Sequence, residues 1–326
     1  MVFRLNSFVA RWCVALVCII ATPYALSAQL TLEQCRARYP DDAERLHCYD
    51  DAADSAATET TAHLLDAWQL TTESIPLNRP QPYRPIYFIV RHSNNINLTP
   101  ASPAHTAPAA LDYNRSEMKF QLSFKSELVS PATFNSIVGS DAWRLWFAYT
   151  QQSSWQILDS HDSRPFRNTN YGPELILTKR ISKRAQPGWA PRLINVGLVH
   201  QSNGQSDPLS RSWNRTYLQG GWQVDKETSL MLRVWHRWKE DPTKDDNPDI
   251  SSFEGSWDAE LRGDFGTVSY LLLVRHRYAQ LDFSRGRLGF LGVPLHFQLT
   301  TGYGETLLDY NHRQTTFGVG WSFGGW

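Results

Sequence analysis

The sequence predicts an all-β fold: a twelve-stranded antiparallel transmembrane β-barrel with a short N-terminal helical extension. Three observations lead there. The first residues carry an export signal, so the chain works outside the cytoplasm. From Ile86 onward, short segments alternate apolar and polar side chains about twelve times over, with lengths that suit tilted strands of roughly 9 to 11 residues crossing a bilayer. Thirteen Trp and thirteen Tyr, in a chain of low mean hydropathy, fit aromatic girdles around a barrel with a polar interior.

Residues 1–28 read as a cleavable signal peptide. Arg4 and Arg11 accompany an apolar run from Trp12 to Ala21, and the small residues Ala25, Ser27 and Ala28 place cleavage near Ser27 or Ala28. That run is shorter than the roughly 17 to 25 residues of a spanning helix, and no later segment is long and apolar enough to be one. Residues 29–75 are acidic and helix-like, a periplasmic helical segment in which Thr31 and Gln34 make a capping-box start and Pro40 divides two short pieces. Cys13 and Cys18 leave with the signal. Cys35 and Cys48 remain, and an oxidising compartment favours a disulfide between them over two reduced thiols. PLNRPQPYRP, residues 76–85, reads as an extended linker.

Residues 86–326 carry the barrel. In MKFQLSFKSE, Met118, Phe120, Leu122 and Phe124 alternate with Lys119, Gln121, Ser123 and Lys125, and AWRLWFAYTQ sets Trp143, Leu145, Phe147 and Tyr149 on one side. Similar segments are read near residues 86–92, 174–183, 192–202, 212–224, 229–238, 256–263, 267–277, 284–294, 296–301 and 314–323. A secreted sandwich or propeller is the competing all-β reading. The row Phe317, Val319, Trp321 and Phe323 weighs against it, because such a face needs lipid, and lipid demands a closed sheet without free edges. With 32 basic and 32 acidic side chains, the charge balance offers nothing to nucleic acid.

The segment VGLVHQSNGQSDPLSRSWNRTYL, residues 196–218, stands apart. Ile194, Val196, Leu198, His200 and Ser202 share the more aliphatic face of one strand, expected to meet lipid, and Asn214 shares the outward face of the next. If the intervening loop is symmetric about Asp207, residue 200 lies opposite residue 214 with side chains about 5 Å apart. Ser202, His200 and Asn214 then form one patch: a nucleophile, a base and a group able to hold the imidazole's other nitrogen. Rim groups bonding headgroups or water have the same spacing, so the pattern alone leaves both readings open. The loop also supplies hard oxygens from Ser206, Asp207, Ser210 and several carbonyls, which suits calcium with its roughly 6 to 8 oxygen ligands, although one carboxylate fits a plain polar hairpin tip equally well.

HQSNGQSDPLSRSWNR resembles the active-site segment of outer-membrane phospholipase A, and YTQQSSWQ, PFRNTNYGPEL, DDNPDI and GYGETLLDYN extend the likeness from about residue 84 to the C-terminus. The resemblance implies a twelve-stranded barrel that hydrolyses phospholipid acyl esters in the outer membrane as a calcium-dependent homodimer. It makes Ser202 the nucleophile, His200 the base and Asn214 the residue that orients it. For calcium it points to Gln205 and Ser210, largely through backbone oxygens, and to Ser163 of the partner chain, with Asp207 inside the same loop and Asp246 at a position that holds an additional calcium. Gln151 matches a polar residue at the dimer contact. Two positions depart from the family pattern: Gln205 replaces an arginine, and Arg164 follows Ser163 where a second serine is usual. Two rival functions share the barrel, a passive pore or interaction protein and a lipid A deacylase.

Overall fold

A computed structural model of the chain describes residues 35–49 in part, and 63–70, 79–106, 109–138, 143–161, 165–181, 190–287 and 292–326. The expected signal peptide, and Ser163 with Arg164, lie outside the described residues. Contacts divide the chain into two compact units, Met1–Ala57 and Thr58–Trp326. In the first, Cys35 and Cys48 form the expected disulfide, their Cα atoms 5.7 Å apart.

Among its described residues the second unit holds three short helices, α1 (His63–Ala67), α2 (Pro131–Val138) and α3 (Ser251–Glu254), and thirteen strands: β1 (Gln81–Pro82), β2 (Ile86–Ser93), β3 (Ser116–Glu127), β4 (Trp143–Trp155), β5 (Phe166–Arg180), β6 (Leu193–Ser202), β7 (Ser212–Gln223), β8 (Thr228–Arg237), β9 (Trp257–Phe265), β10 (Val268–Arg275), β11 (Tyr278–Arg287), β12 (Pro294–Tyr303) and β13 (Arg313–Gly324). Strands β2 to β13 pair antiparallel with their sequence neighbours, and β13 pairs β2, so twelve strands close on themselves. Closure leaves these strands no free edge, the condition lipid imposes. Strand β1 adds two residues beside β3, within the stretch expected as a linker.

Two strands begin earlier than expected. β5 starts at Phe166, eight residues upstream of the expected 174, and β11 occupies Tyr278–Arg287 where 284–294 was expected. In β11 the inward side chains Gln280, Asp282 and Ser284 alternate with Ala279, Leu281 and Phe283. That outward row starts with a small residue, and the turn before it is only two residues long, so neither an apolar alternation nor a loop announces its start.

Elsewhere the alternation holds. On β3, Glu117, Lys119, Ser123, Lys125 and Glu127 are buried, while Leu122 is half exposed on the outer wall. The inward charges pair across the lumen. Glu117 accepts from Arg91 Nε at 3.1 Å and Arg167 Nε at 2.9 Å, Arg167 Nη1 reaches Asp309 Oδ2 at 2.7 Å, and Lys119 Nζ reaches Glu305 Oε1 at 2.7 Å. Burying one such ion alone costs several kcal/mol, so the network is tenable because each charge has opposite partners and hydrogen bonds.

Both ends of the lumen are filled. At one, Leu64, Leu65, Trp68 and Leu70 pack with Tyr83, Trp146, Ile176, Leu193 and Met231. Leu64 N donates to Gln223 Oε1 at 2.9 Å, and the Lys125 ammonium lies 3.8 Å from the Trp68 ring centre. At the other, the β12–β13 loop folds inward: Glu305, Thr306, Leu307, Leu308, Asp309 and Tyr310 are all buried, held by the Arg91, Lys119 and Arg167 pairs.

Candidate active site

Strands β6 and β7 form a hairpin whose register pairs His200 with Asn214 and Ser202 with Ser212, the pairing that symmetry about Asp207 requires. The face assignment also holds. Val196, Leu198 and Leu218 are 45%, 43% and 52% exposed, whereas the alternate residues Val199, Trp213 and Tyr217 are buried in the lumen. His200 is exposed and Ser202 and Asn214 are half buried, so all three stand on the outer wall near the end that carries the 203–211 loop.

His200 Nδ1 lies 2.9 Å from Asn214 Oδ1. A carbonyl oxygen can only accept, so this contact requires the proton on Nδ1 and leaves Nε2 free to act as a base. Ser202 shares the face two residues on. Alternate residues of one strand stand about 7 Å apart at their Cα atoms, which puts the Ser202 hydroxyl within reach of the imidazole. Behind Asn214, its Nδ2 donates to Glu240 Oε1 at 3.4 Å, which turns the amide oxygen toward the ring. Burial, and then the charge of Asp245, pushes the Glu240 carboxyl above the usual carboxylate range. Sequence reasoning missed Glu240 because it lies in the 238–256 loop, where no periodicity fixes its position.

The neighbouring strand explains how the patch is framed. The β5–β6 ladder pairs Tyr171 with Ser202 and resumes at Glu174 with Val199. Between them lies Pro173, which has no N–H to give, so the ladder is interrupted next to His200. The Tyr171 ring lies against Gly204, where a Cβ would come within 2.8 Å of it, and the φ of +63° at Gly204 also favours glycine. Beneath the loop, Asn203 Oδ1 accepts from Arg211 N at 2.9 Å, Asn203 Nδ2 donates to Leu209 O at 2.7 Å, and Asn247 Oδ1 accepts from Ser212 N at 2.9 Å. These bonds fix the segment that joins nucleophile to orienting residue.

The residues expected to hold a metal divide into three groups. Asp207, Ser210 and Asp246 come together: Ser210 Oγ donates to Asp246 Oδ2 at 2.6 Å, and His105 Nε2 lies 3.1 Å from Asp246 Oδ1 and 3.4 Å from Asp207 Oδ1. Gln205 turns its amide inward, donating to Arg167 O at 2.9 Å, so only its backbone carbonyl suits the expected role. Ser163 lies outside the described residues. Gln151 sits on β4 opposite Leu122 and Tyr171, and Tyr171 in turn pairs with Ser202, so the amide and the nucleophile lie in one row of the outer wall, two strand spacings or roughly 10 Å apart.

The phospholipase A1 family profile matches residues 68–323. The chain belongs to the phospholipase A1 family. A relative from Neisseria meningitidis named for this activity is 37% identical over 257 residues, covering 74% of this chain, and the match spans 64% of that relative's length. Among solved structures, the Salmonella typhi outer membrane phospholipase dimer with bound calcium superposes with a TM-score of 0.67 at 28% identity, covering 81% of this chain and 98% of that one. An Escherichia coli outer membrane phospholipase A with an active-site asparagine changed to alanine gives 0.65 at 29% identity, with 81% and 98% coverage. Family membership and the closed twelve-stranded wall make this chain an outer-membrane barrel.

Proposed function

We propose that this member of the phospholipase A1 family hydrolyses the acyl esters of membrane phospholipids, with phospholipase A1, phospholipase A2 and lysophospholipase activity, using Ser202, His200 and Asn214 on its outer wall. The observation that carries the reading is the His200–Asn214 bond of 2.9 Å on a lipid-facing surface beside Ser202. A phospholipid ester lies at the headgroup boundary, so a nucleophile at this height meets it without drawing the lipid from the bilayer. Ser202 Oγ attacks the acyl carbonyl carbon while its proton passes to His200 Nε2. The imidazolium then returns that proton to the departing lysophospholipid oxygen, leaving the acyl group on Ser202. Water, deprotonated by the same nitrogen, releases the fatty acid. Asn214 holds the tautomer without adding a full charge at the membrane boundary, where an unpaired carboxylate is costly. Glu240 keeps the Asn214 amide in the orientation that this requires.

Calcium fits the loop: the Asp207 and Asp246 carboxylates and the Ser210 hydroxyl are gathered there, and Gln205 and Ser210 have carbonyl oxygens to add. When bound, it supplies positive charge for the oxyanion that develops on the acyl carbonyl. Ser163 of a second copy completes the ligand set, so the active form is a homodimer that meets along the outer wall carrying Gln151. Purified protein in micelles of a defined phospholipid, given calcium, should release fatty acid and lysophospholipid, and chelator should stop the release. Unchanged release in chelator would remove calcium from the reading, and absence of release in either condition would remove the esterase itself.

A further inference from the structure

Behind the catalytic patch, on the lumen face of the same hairpin, three side chains form a cluster that the outer-wall chemistry leaves unexplained. Gln201 lies between His200 and Ser202 on β6, and Trp213 and Arg215 bracket Asn214 on β7. Successive strand residues point to opposite faces, so these three turn inward where the catalytic trio turns outward. Gln201 Oε1 accepts from Trp213 Nε1 at 3.0 Å and from Arg215 Nη2 at 2.9 Å. Both lone pairs of that oxygen are thereby taken, which fixes the side chain.

The two donors are held in turn. The Arg215 guanidinium carbon lies 3.9 Å from the Trp213 ring centre and 5.3 Å from that of Trp235, and the two rings meet edge to face at 6.4 Å. Trp213, Arg215 and Trp235 are all buried. Among the described residues no carboxylate forms an ion pair with Arg215, unlike Arg91, Arg167 and Arg233. Its hydrogen bond goes to Gln201 rather than into the charge network that crosses the lumen.

This cluster sits where the sheet is interrupted. The β5–β6 ladder lapses opposite His200 and Gln201, between the Tyr171–Ser202 and Glu174–Val199 pairs, so β6 is tied there to β7 alone. Base and nucleophile stand on either side of that gap, and a misplacement of about 1 Å in such a pair costs about 100-fold in rate. We propose that Arg215 and Trp213, acting through Gln201, are positioning residues for ester hydrolysis: a clamp that holds the β6 segment carrying His200 and Ser202 from inside the barrel. The inference rests on the catalytic roles of those two residues, while the clamp itself is measurable without turnover.

The test pairs kinetics on a defined phospholipid with amide hydrogen exchange, both on the full chain in micelles. Gln201→Leu and Arg215→Met should each lower kcat about 10 to 100-fold and change KM less than about two-fold, with the barrel folded. Gln201→Glu keeps the acceptor and should retain at least about half of the original kcat. The Gln201→Leu, Arg215→Met double variant should lose no more than the worse single one, because either change breaks the same clamp. Exchange across residues 199–203 should quicken about ten-fold or more in both single variants and stay unchanged in Ser202→Ala, which decides the clamp even if the chain releases no fatty acid. Losses that multiply in the double variant would overturn the proposal, as would raised KM at constant kcat or unchanged exchange in Gln201→Leu. If Arg215→Met does not fold, the two Gln201 variants decide alone, and equal kcat in Gln201→Leu and Gln201→Glu overturns the clamp.

Discussion

The chemistry assigned to single residues makes graded demands. Ser202→Ala removes the proposed nucleophile, so hydrolysis should fall by about 10^4 to 10^6-fold with the barrel still folded. His200→Ala should cost nearly as much. Asn214→Ala should cost about ten-fold less than His200→Ala, because packing supplies part of the orientation and nothing replaces the proton transfer. Initial rates of fatty-acid release from the three variants order these roles, and an Asn214→Ala loss as large as that of His200→Ala would contradict them. Glu240 acts one step further back. Glu240→Gln preserves an acceptor for the Asn214 amide and should keep most of the activity, whereas Glu240→Leu should lower kcat and leave KM nearly unchanged. The opposite pattern, raised KM at constant kcat, would make Glu240 a binding residue instead.

At the scale of elements, the two ends of the barrel separate stability from catalysis. Helix α1 and Trp68 fill the lumen at the end away from the catalytic hairpin. Trp68→Ala should cost about 3 to 5 kcal/mol, read as a lower unfolding temperature in micelles, with hydrolysis at permissive temperature retained. Gly204→Ala should do the reverse: a small stability change but a distorted hairpin, because a Cβ there meets the Tyr171 ring at a φ of +63°. How much of this the sequence disclosed follows the reach of each signal. The outward placement of His200, Ser202 and Asn214 and their pairing were legible, because strand periodicity and a loop symmetric about Asp207 fix both. The inward fold of residues 304–310 and the docking of Leu64 and Trp68 were not, since their apolar side chains reveal that they are buried but not against which surface. His105 and Glu240 escaped for a related reason: their loops have no repeating pattern, and closure of the barrel alone brings them beside residues more than twenty positions away.

At the scale of the whole molecule, the proposed site stands on the outside of the wall. The lumen is crossed by the Arg91–Glu305 and Arg167–Asp309 pairs and filled at both ends, an interior suited to rigidity more than to the conductance a passive pore requires. An esterase facing its own membrane needs restraint, and the proposed completion of the site across two barrels would provide it. Gln151, in the same row as Ser202 and two strands away, would bond its counterpart across the two-fold axis of the proposed dimer. Gln151→Ala should weaken dimerisation several-fold in sedimentation equilibrium, and chelator should drive the chain toward monomer. Full activity from a demonstrated monomer in chelator would leave the catalytic patch intact and its control unexplained. The central claim, that an outward serine is the nucleophile, is tested most directly by treating the folded barrel with a long-chain alkylsulfonyl fluoride and mapping the adduct by peptide mass. The expected result is one covalent sulfonyl group on Ser202, missing after Ser202→Ala or His200→Ala substitution. Labelling on a different residue, or continued hydrolysis by protein fully modified at Ser202, would contradict the account.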